Sequence, residues 1–308
     1  MLVKFIKDIL KKFKIFYKIK LFLFTPKSEK IISKFLPECT CIDVGASYFE
    51  HSRWRVFLNS KNTNWIAVDP NAKNLDYLKK WHWKSKLKVI NRGLSKFGGW
   101  INLYITNVDS GSSLKKPIIT TSKKIRMTNE FLNYFFPVKI KKIKTKSLKK
   151  IIEENDISNP FFIKLDTQGS ELDILKGAEK FFKNFIILGV ELETSLLSQT
   201  NYINANKITE VISFFEKKGY ELININVISS NPNPNSKSRN IENFIPNEAD
   251  VVFLPRPDLI KKLPLNYKLC IIGFLYSYRL FGEIKNLIEN NSDIQNLLLK
   301  RNIKNLLN

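Results

Sequence analysis

Short apolar runs alternate with segments of helical spacing along most of the chain. The uninterrupted runs predict buried strands at 39–45, 65–69, 87–93, 161–165 and 185–193. Apolar residues recur every three or four positions between the runs and predict helices at 51–58, 74–81, 147–155, 170–178 and 206–219. Strands and helices that alternate at this spacing are typical of a parallel, doubly wound α/β sheet.

Four segments depart from that alternation. A glycine pair followed by alternating residues predicts a hairpin arm at 98–106, and 138–145 alternates as an exposed or edge strand. The last two strands, 220–227 and 248–255, have no helix between them. We therefore expect them to form an antiparallel pair at one edge of the sheet.

Three parts of the chain differ in pattern. Residues 1–37 form a basic, amphipathic helical segment, 38–257 the α/β domain, and 258–308 a C-terminal helical tail. The first segment either packs on its own domain or lies on an anionic membrane through residues 1–24. No run is long and apolar enough to span a bilayer, so we expect a cytoplasmic protein, with peripheral contact at the inner membrane face as the alternative.

The chain is strongly basic, with 51 Lys and Arg against 28 Asp and Glu and a formal net charge of +23. Such an excess favours polyanionic partners, although lysines scattered this evenly are also typical of a compositional bias. Cys39, Cys41 and Cys270 lack the second Cys/His pair of a zinc site, so structural thiols are expected.

Carboxylates follow two of the predicted strands. Asp43 and Gly45 lie at the end of the first strand, and Asp69 ends the second. Ligands of such sheets bind at the carboxyl ends of the strands, where a carboxylate accepts hydrogen bonds from ribose hydroxyls. These residues indicate a cofactor that contains a nucleoside. The GxGxxG fingerprint is absent, so a nicotinamide cofactor is the weaker alternative to S-adenosylmethionine (SAM).

A third cluster follows the strand at 161–165. Lys164 and Asp166 are two residues apart and share a face of the strand, and Glu171 opens the next helix. Glu171 either caps that helix or joins a site. Asp166 either pairs with Lys164 or serves a reaction, since a charge at the end of an apolar strand is costly without a use.

The segment FIKLDTQGSELDILKGA resembles the signature of FkbM-type SAM-dependent methyltransferases. The segments CIDVGAS, WIAVDPN, VINRGLS, SGSSL, GVELE and ADVVFLP follow the order of that family over roughly residues 38–255. The chain departs from it at DVGASYF, where the family usually has DVGANxG, so that Ser47 and Phe49 replace Asn and Gly. The resemblance implies a Rossmann-like sheet of the class I methyltransferase type with an antiparallel last strand.

The resemblance also implies a reaction, the transfer of a methyl group from SAM to a hydroxyl of a sugar, glycan or related small molecule. The cofactor-binding residues would be Asp43, Gly45, Ala46, Ser47, Asp69 and Asn91. Asp166 would be the base or orient the hydroxyl, Lys164 would offset charge or fix Asp166, and Glu171 would support them. His82 is the weaker candidate for the base, and no metal-ligand set stands out.

Two other classes of protein stay open. The charge and the tryptophans at 54, 81, 83 and 100 are compatible with an RNA methyltransferase, although nucleic acid is the less favoured partner. The DVGASYF departure is compatible with a catalytically degenerate domain that binds a membrane or an envelope-assembly partner. The sequence leaves the acceptor and the oligomeric state open.

Overall fold

A computed structural model describes residues 27–47, 52–78, 80, 83–119, 133–183, 185–197, 200–230 and 245–300. Ten strands lie in these ranges: β1 (Cys39–Val44), β2 (Thr63–Val68), β3 (Lys86–Ile90), β4 (Gly93–Leu94), β5 (Gly99–Thr106), β6 (Pro137–Lys146), β7 (Phe161–Leu165), β8 (Ile187–Ser195), β9 (Tyr220–Ser230) and β10 (Ile245–Pro255). The predictions for residues 1–24, Phe49 and His82 concern positions outside the described residues.

α-Helices and short 3-10 segments precede, connect and follow these strands. The α-helices are α1 (Lys27–Phe35), α2 (Arg55–Leu58), α3 (Ala72–Leu78), α4 (Leu148–Glu154), α5 (Glu171–Lys176), α6 (Ile208–Glu216), α7 (Pro257–Ile260), α8 (Leu265–Ser277), α9 (Phe281–Glu289) and α10 (Ser292–Lys300). A 3-10 turn, Ser52–Trp54, leads into α2. Ser147 caps α4 by accepting a hydrogen bond from the backbone N–H of Lys150.

The main sheet has seven strands in the order β3-β2-β1-β7-β8-β10-β9. The five strands from β3 to β8 are parallel, and every residue of β1 is buried because helices cover both faces. β10 runs antiparallel to both β8 and β9, which confirms the predicted pair at the edge. The predicted doubly wound sheet with an antiparallel strand near its end is confirmed.

A second, three-stranded sheet, in the order β4-β6-β5, lies beside the main one. β5 and β6 pair antiparallel over most of their length, and we call this pair the ribbon. The prediction that β6 is exposed is confirmed, but β6 is the central strand of this sheet and not an edge. Among the described elements, no helix makes an extensive contact with the ribbon as helices do with the main sheet, which agrees with this exposure.

The C-terminal helices share the hydrophobic core of the sheet. Phe274 of α8 stacks on Phe162 of β7, with ring centroids 4.6 Å apart. Ile284 of α9 and Ile294 of α10 are fully buried in the same cluster. The expected helical tail is therefore present and forms a layer against the sheet, while the division at 257/258 stays a prediction.

The cysteines are buried and free of disulfides. Burial raises the pKa of the Cys41 and Cys270 thiols well above the usual value, which keeps them neutral. This environment agrees with structural thiols. Within the described part of the chain, no helix has the length and apolar character needed to cross a membrane.

Candidate active site

A cleft of about 610 Å³ opens at the carboxyl ends of β1, β2, β3 and β7, and the ribbon forms one of its walls. Five of the residues predicted for the site line it: Gly45, Ser47, Asp69, Asn91 and Asp166. The other four, Asp43, Ala46, Lys164 and Glu171, lie behind this lining. The parallel order of the strands thus brings together polar residues that are far apart in sequence.

Gly45 turns the chain at the end of β1. Its φ is +80°, and its N–H donates to the carbonyl oxygen of Val68 at 2.9 Å. A Cβ at this position would lie 1.9 Å from the carbonyl oxygen of Asp166. Only glycine lets the β1 loop approach the β7 loop this closely, which is why both loops border one cleft.

Ser47 supplies a free polar group inside the cleft. Its Oγ is buried and has no hydrogen-bond partner within the part of the chain that the structure describes. A buried hydroxyl without a partner is costly, and a polar ligand removes that cost. Ala46 beside it is 1% exposed and contributes only its backbone to this turn.

Asp69 follows β2 directly and is 6% exposed. Its Oδ1 accepts hydrogen bonds from the N–H of Asn71 at 2.7 Å and from Nδ2 of Asn74 at 3.3 Å. Asn91 fixes the same loop by donating to the carbonyl oxygen of Asp69 at 3.1 Å. Burial, with a smaller contribution from nearby Asp109, raises the pKa of Asp69 to about 7 against the hydrogen bonds that lower it.

Asp166 follows β7 directly and is held by a lysine. Lys164 Nζ lies 3.2 Å from Oδ2 of Asp166 and 3.6 Å from Oδ1 of Asp43, so one ammonium group serves two carboxylates. Burial lowers the pKa of Lys164, but Asp166, Asp43 and Glu191 outweigh this effect and raise it above its usual value. Lys164 is therefore a permanent cation behind the cleft. The Asp166 side chain is 42% exposed and reaches the cleft.

Gln168, which the sequence reasoning missed, holds the other oxygen of Asp166. Its Nε2 donates to Oδ1 of Asp166 at 3.1 Å and to Glu193 at 2.7 Å, while its Oε1 accepts from the Tyr202 hydroxyl at 3.0 Å. Gln168 has a φ of +58°, a strained backbone for a side chain of this kind. The sequence offered one signal for this role, because Gln168 is an amide side chain in the turn between Asp166 and Glu171.

Glu171 organises the turn from inside. It is fully buried, and its Oε1 accepts from Thr167 N–H at 2.7 Å, Thr167 Oγ1 at 3.0 Å and Gly169 N–H at 3.1 Å. Burial raises its pKa to about 7, although these hydrogen bonds oppose the rise. Glu171 thus binds the turn that follows Asp166 and does not line the cleft, and its predicted supporting role stays a prediction.

A second polar network lies behind the site at the end of β8. Arg53 donates to Glu191 at 2.7 Å and to Asp250 at 3.2 Å, and the Tyr278 hydroxyl donates to the other oxygen of Glu191. Trp54 Nε1 donates to the Tyr278 oxygen at 2.7 Å. This network connects the helix after β1, the sheet and α8. Its hydrogen-bonded partners are up to 224 residues apart, so no local pattern could have predicted it.

Two other predictions concern metals and tryptophans. Within the described ranges, no group of three or more His, Cys, Asp and Glu side chains is placed to hold a metal ion. Trp54 is fully buried, so it is not available for stacking on a base, whereas Trp100 is 64% exposed. Trp81 lies outside the described residues.

The family of the chain follows from a comparison with family models. The model of the methyltransferase FkbM domain matches residues 43–222, more than half of the chain and nearly the whole cleft. The chain belongs to this family of methyltransferases, and its cofactor is S-adenosylmethionine. No curated protein matches the chain.

Solved structures with a similar fold are distant. The precorrin-6y C5,15-methyltransferase of Geobacter metallireducens has 12% identity and a TM-score of 0.35 over 73% of this chain and 84% of its own. The TehB-like SAM-dependent methyltransferase of Corynebacterium glutamicum has 9% identity and a TM-score of 0.31. The match covers 80% of this chain and 97% of that protein. A SAM-dependent methyltransferase of Aquifex aeolicus has 10% identity and a TM-score of 0.31. The match covers 76% of this chain and 92% of that protein.

Proposed function

We propose that this methyltransferase transfers the methyl group to a hydroxyl oxygen of a sugar, a glycan or a related small molecule. The observation that carries the proposal is the placement of Asp166, a half-exposed carboxylate at the cleft with both oxygens oriented by Lys164 and Gln168. A hydroxyl is a poor nucleophile and needs a base within hydrogen-bond reach. Asp166 is the carboxylate that meets this need.

The residues of the cleft fit the cofactor. Ser47 offers a hydroxyl that has no partner among the described residues. Gly45 keeps the backbone open, and Asp69 offers a buried carboxylate for two ribose hydroxyls. Asn91 holds the Asp69 loop in place, and Asp43 acts through Lys164. When bound, SAM supplies an electrophilic methyl group on a sulfonium ion.

The protein's own part in the reaction is alignment and proton removal. Asp166 accepts the proton of the acceptor hydroxyl at its carboxylate, and the Lys164 ammonium group contacts and orients that carboxylate. Glu171 and Gln168 fix the turn, so the carboxylate does not have to reorient. Alignment of the acceptor oxygen with the methyl group then supplies most of the rate enhancement.

The remaining predictions about partners stay proposals. An anionic membrane would be contacted through residues 1–24, which lie outside the described residues. RNA is the less favoured acceptor. That alternative depended on tryptophans exposed for stacking on bases, and Trp54 is buried.

The proposal is tested by following methyl-labelled SAM into a panel of free sugars, sugar phosphates and oligosaccharides. Mass spectrometry and NMR of the product are expected to place the label on a sugar oxygen, with transfer by Asp166→Asn slower by about a hundredfold or more. Label on RNA and on none of the sugars would overturn the proposal, as would label on a nitrogen or carbon atom.

A further inference from the structure

Two lysines of the ribbon face the cleft. Lys139 and Lys141 lie two residues apart on β6 and line the cleft beside Ile143, Leu103 and Ile105. Residues two apart on a strand share a face, so their neighbours Lys142 and Lys144 belong to the opposite face and are absent from the lining. The chain therefore offers a cleft-facing pair and an outward-facing pair of lysines on one strand.

The cleft-facing pair has no anionic partner in the described ranges. Neither lysine forms an ion pair within 4.0 Å of a carboxylate there. Two other lysines near the site do form ion pairs: Lys146 of the same strand contacts Glu154, and Lys164 contacts Asp166. Two unpaired ammonium groups that share an otherwise apolar wall repel each other, and a bound anion removes this repulsion.

The cofactor does not supply that anion. SAM carries a positive sulfonium, and the carboxylate of its amino acid part is balanced by its own ammonium group. The attraction between SAM and Asp69 is favourable, but two lysines give bound SAM no net gain in electrostatic free energy. The lysines therefore fit the second occupant of the cleft, the acceptor.

We propose that the acceptor is a sugar derivative that carries a phosphate or diphosphate group, held by Lys139 and Lys141. The inference rests on the proposed function, whose acceptor class it narrows. Two Cα atoms two positions apart on an antiparallel strand are about 7 Å from each other, so both flexible side chains reach one phosphoryl group. Lysine binds phosphate as a compact, strongly hydrated point charge, which tolerates variation in the rest of the acceptor.

Isothermal titration with inorganic pyrophosphate tests this inference, on the full chain saturated with S-adenosylhomocysteine. The test variant is Lys139→Gln/Lys141→Gln, and the matched control is Lys142→Gln/Lys144→Gln, which removes the same charge from the same strand. We expect the test variant to weaken pyrophosphate binding by about tenfold or more, because lysine contacts to phosphate are lost. The control is expected to change binding by about twofold, the effect of lower net charge alone.

Glucose 1-phosphate and glucose form the second arm and separate a sugar-borne phosphate from a free anion. The inference predicts that glucose 1-phosphate shows the same dependence on Lys139 and Lys141, and that glucose binding does not change between the variants. Equal losses in both double variants would overturn it, as would tight binding of an RNA oligomer that depends equally on both lysine pairs.

SAM binding to the same variants keeps this inference apart from the proposed function. Both double variants are expected to bind SAM as the unmodified chain does, which also shows that they fold. If SAM binds but the affinity for pyrophosphate is the same with and without Lys139 and Lys141, the acceptor inference is wrong. The proposed function is then unaffected. If the unmodified chain does not bind SAM, the proposed function fails first.

Discussion

Asp69 and Asp166 occupy equivalent places in the sheet but differ in their surroundings. Each directly follows a parallel strand that pairs with β1, so they flank Gly45 on its two sides. Asp69 is 6% exposed and accepts from two asparagines, and no cation of the described residues forms an ion pair with it. Asp166 has a side chain that is 42% exposed and is held by the Lys164 ammonium group.

The difference separates two uses of a carboxylate. Asp69 is a buried acceptor whose environment raises its pKa, which suits it to neutral hydroxyl donors that replace water. Asp166 is a carboxylate that the acceptor can reach and that the Lys164 ammonium group contacts, which suits it to proton removal. We therefore propose that the same residue type at the same sheet edge binds in one place and reacts in the other.

The largest effect is expected from removal of the reactive carboxylate. Asp166→Asn keeps the shape and the hydrogen bond from Gln168 but abolishes basicity, so kcat should fall by about a hundredfold to ten-thousandfold. Steady-state kinetics with the acceptor found in the labelling experiment measure this. A kcat within about threefold of the unmodified enzyme would assign the base to another group.

A smaller effect is expected from pH through Asp69. Because its pKa is about 7 in the folded protein, the carboxylate that binds hydroxyls forms only as the pH rises through that value. SAM affinity should rise by about tenfold between about pH 6 and about pH 8. The free energy of unfolding depends on pH with the opposite sign. The raised pKa of Asp69 stabilises the fold at low pH, and this contribution is lost between about pH 4 and about pH 7.

The control for this pH dependence is Asp69→Asn, which should bind SAM with an affinity that stays flat over the same interval. Glu171→Gln tests the other carboxyl with a pKa of about 7. It should leave the pH dependence of SAM affinity in place, since Glu171 does not line the cleft. A flat profile for the unmodified chain would refute the role given to Asp69.

The smallest effect is expected at Gln168, which positions Asp166. Gln168→Ala removes one hydrogen bond to a charged group, so kcat should fall by about fivefold to tenfold while KM for SAM stays the same. In an Asp166→Asn background the same change should have no further effect on kcat, since both residues act as one unit. Additive losses would show that Gln168 contributes independently of Asp166.

Much of the fold followed from local pattern. Apolar runs that end at Gly45, Asp69 and Asp166 predicted both the parallel strands and the edge where these residues meet, whereas Asp43 lies within β1. The glycine at 45 also signalled a close approach, although its neighbour in space, the carbonyl of Asp166, is 121 positions away.

The rest depended on contacts that no local pattern encodes. The alternation of β6 indicated two faces, but only the pairing with β5 decides that Lys139 and Lys141 face the cleft. Tyr278 lies 87 residues from Glu191, and their contact depends on how α8 packs on the sheet. For the same reason the tail could be predicted as helical but not as part of the core.

Calorimetric titration of SAM into the unmodified chain, Asp69→Ala and Asp166→Asn tests the central claim most directly. We predict micromolar binding, about −8 kcal/mol, to the unmodified chain and to Asp166→Asn. Asp69→Ala should bind at least about tenfold more weakly, because hydrogen bonds to a charged group are lost. Equal affinity of all three proteins, or a loss confined to Asp166→Asn, would contradict the division between a binding and a reacting carboxylate.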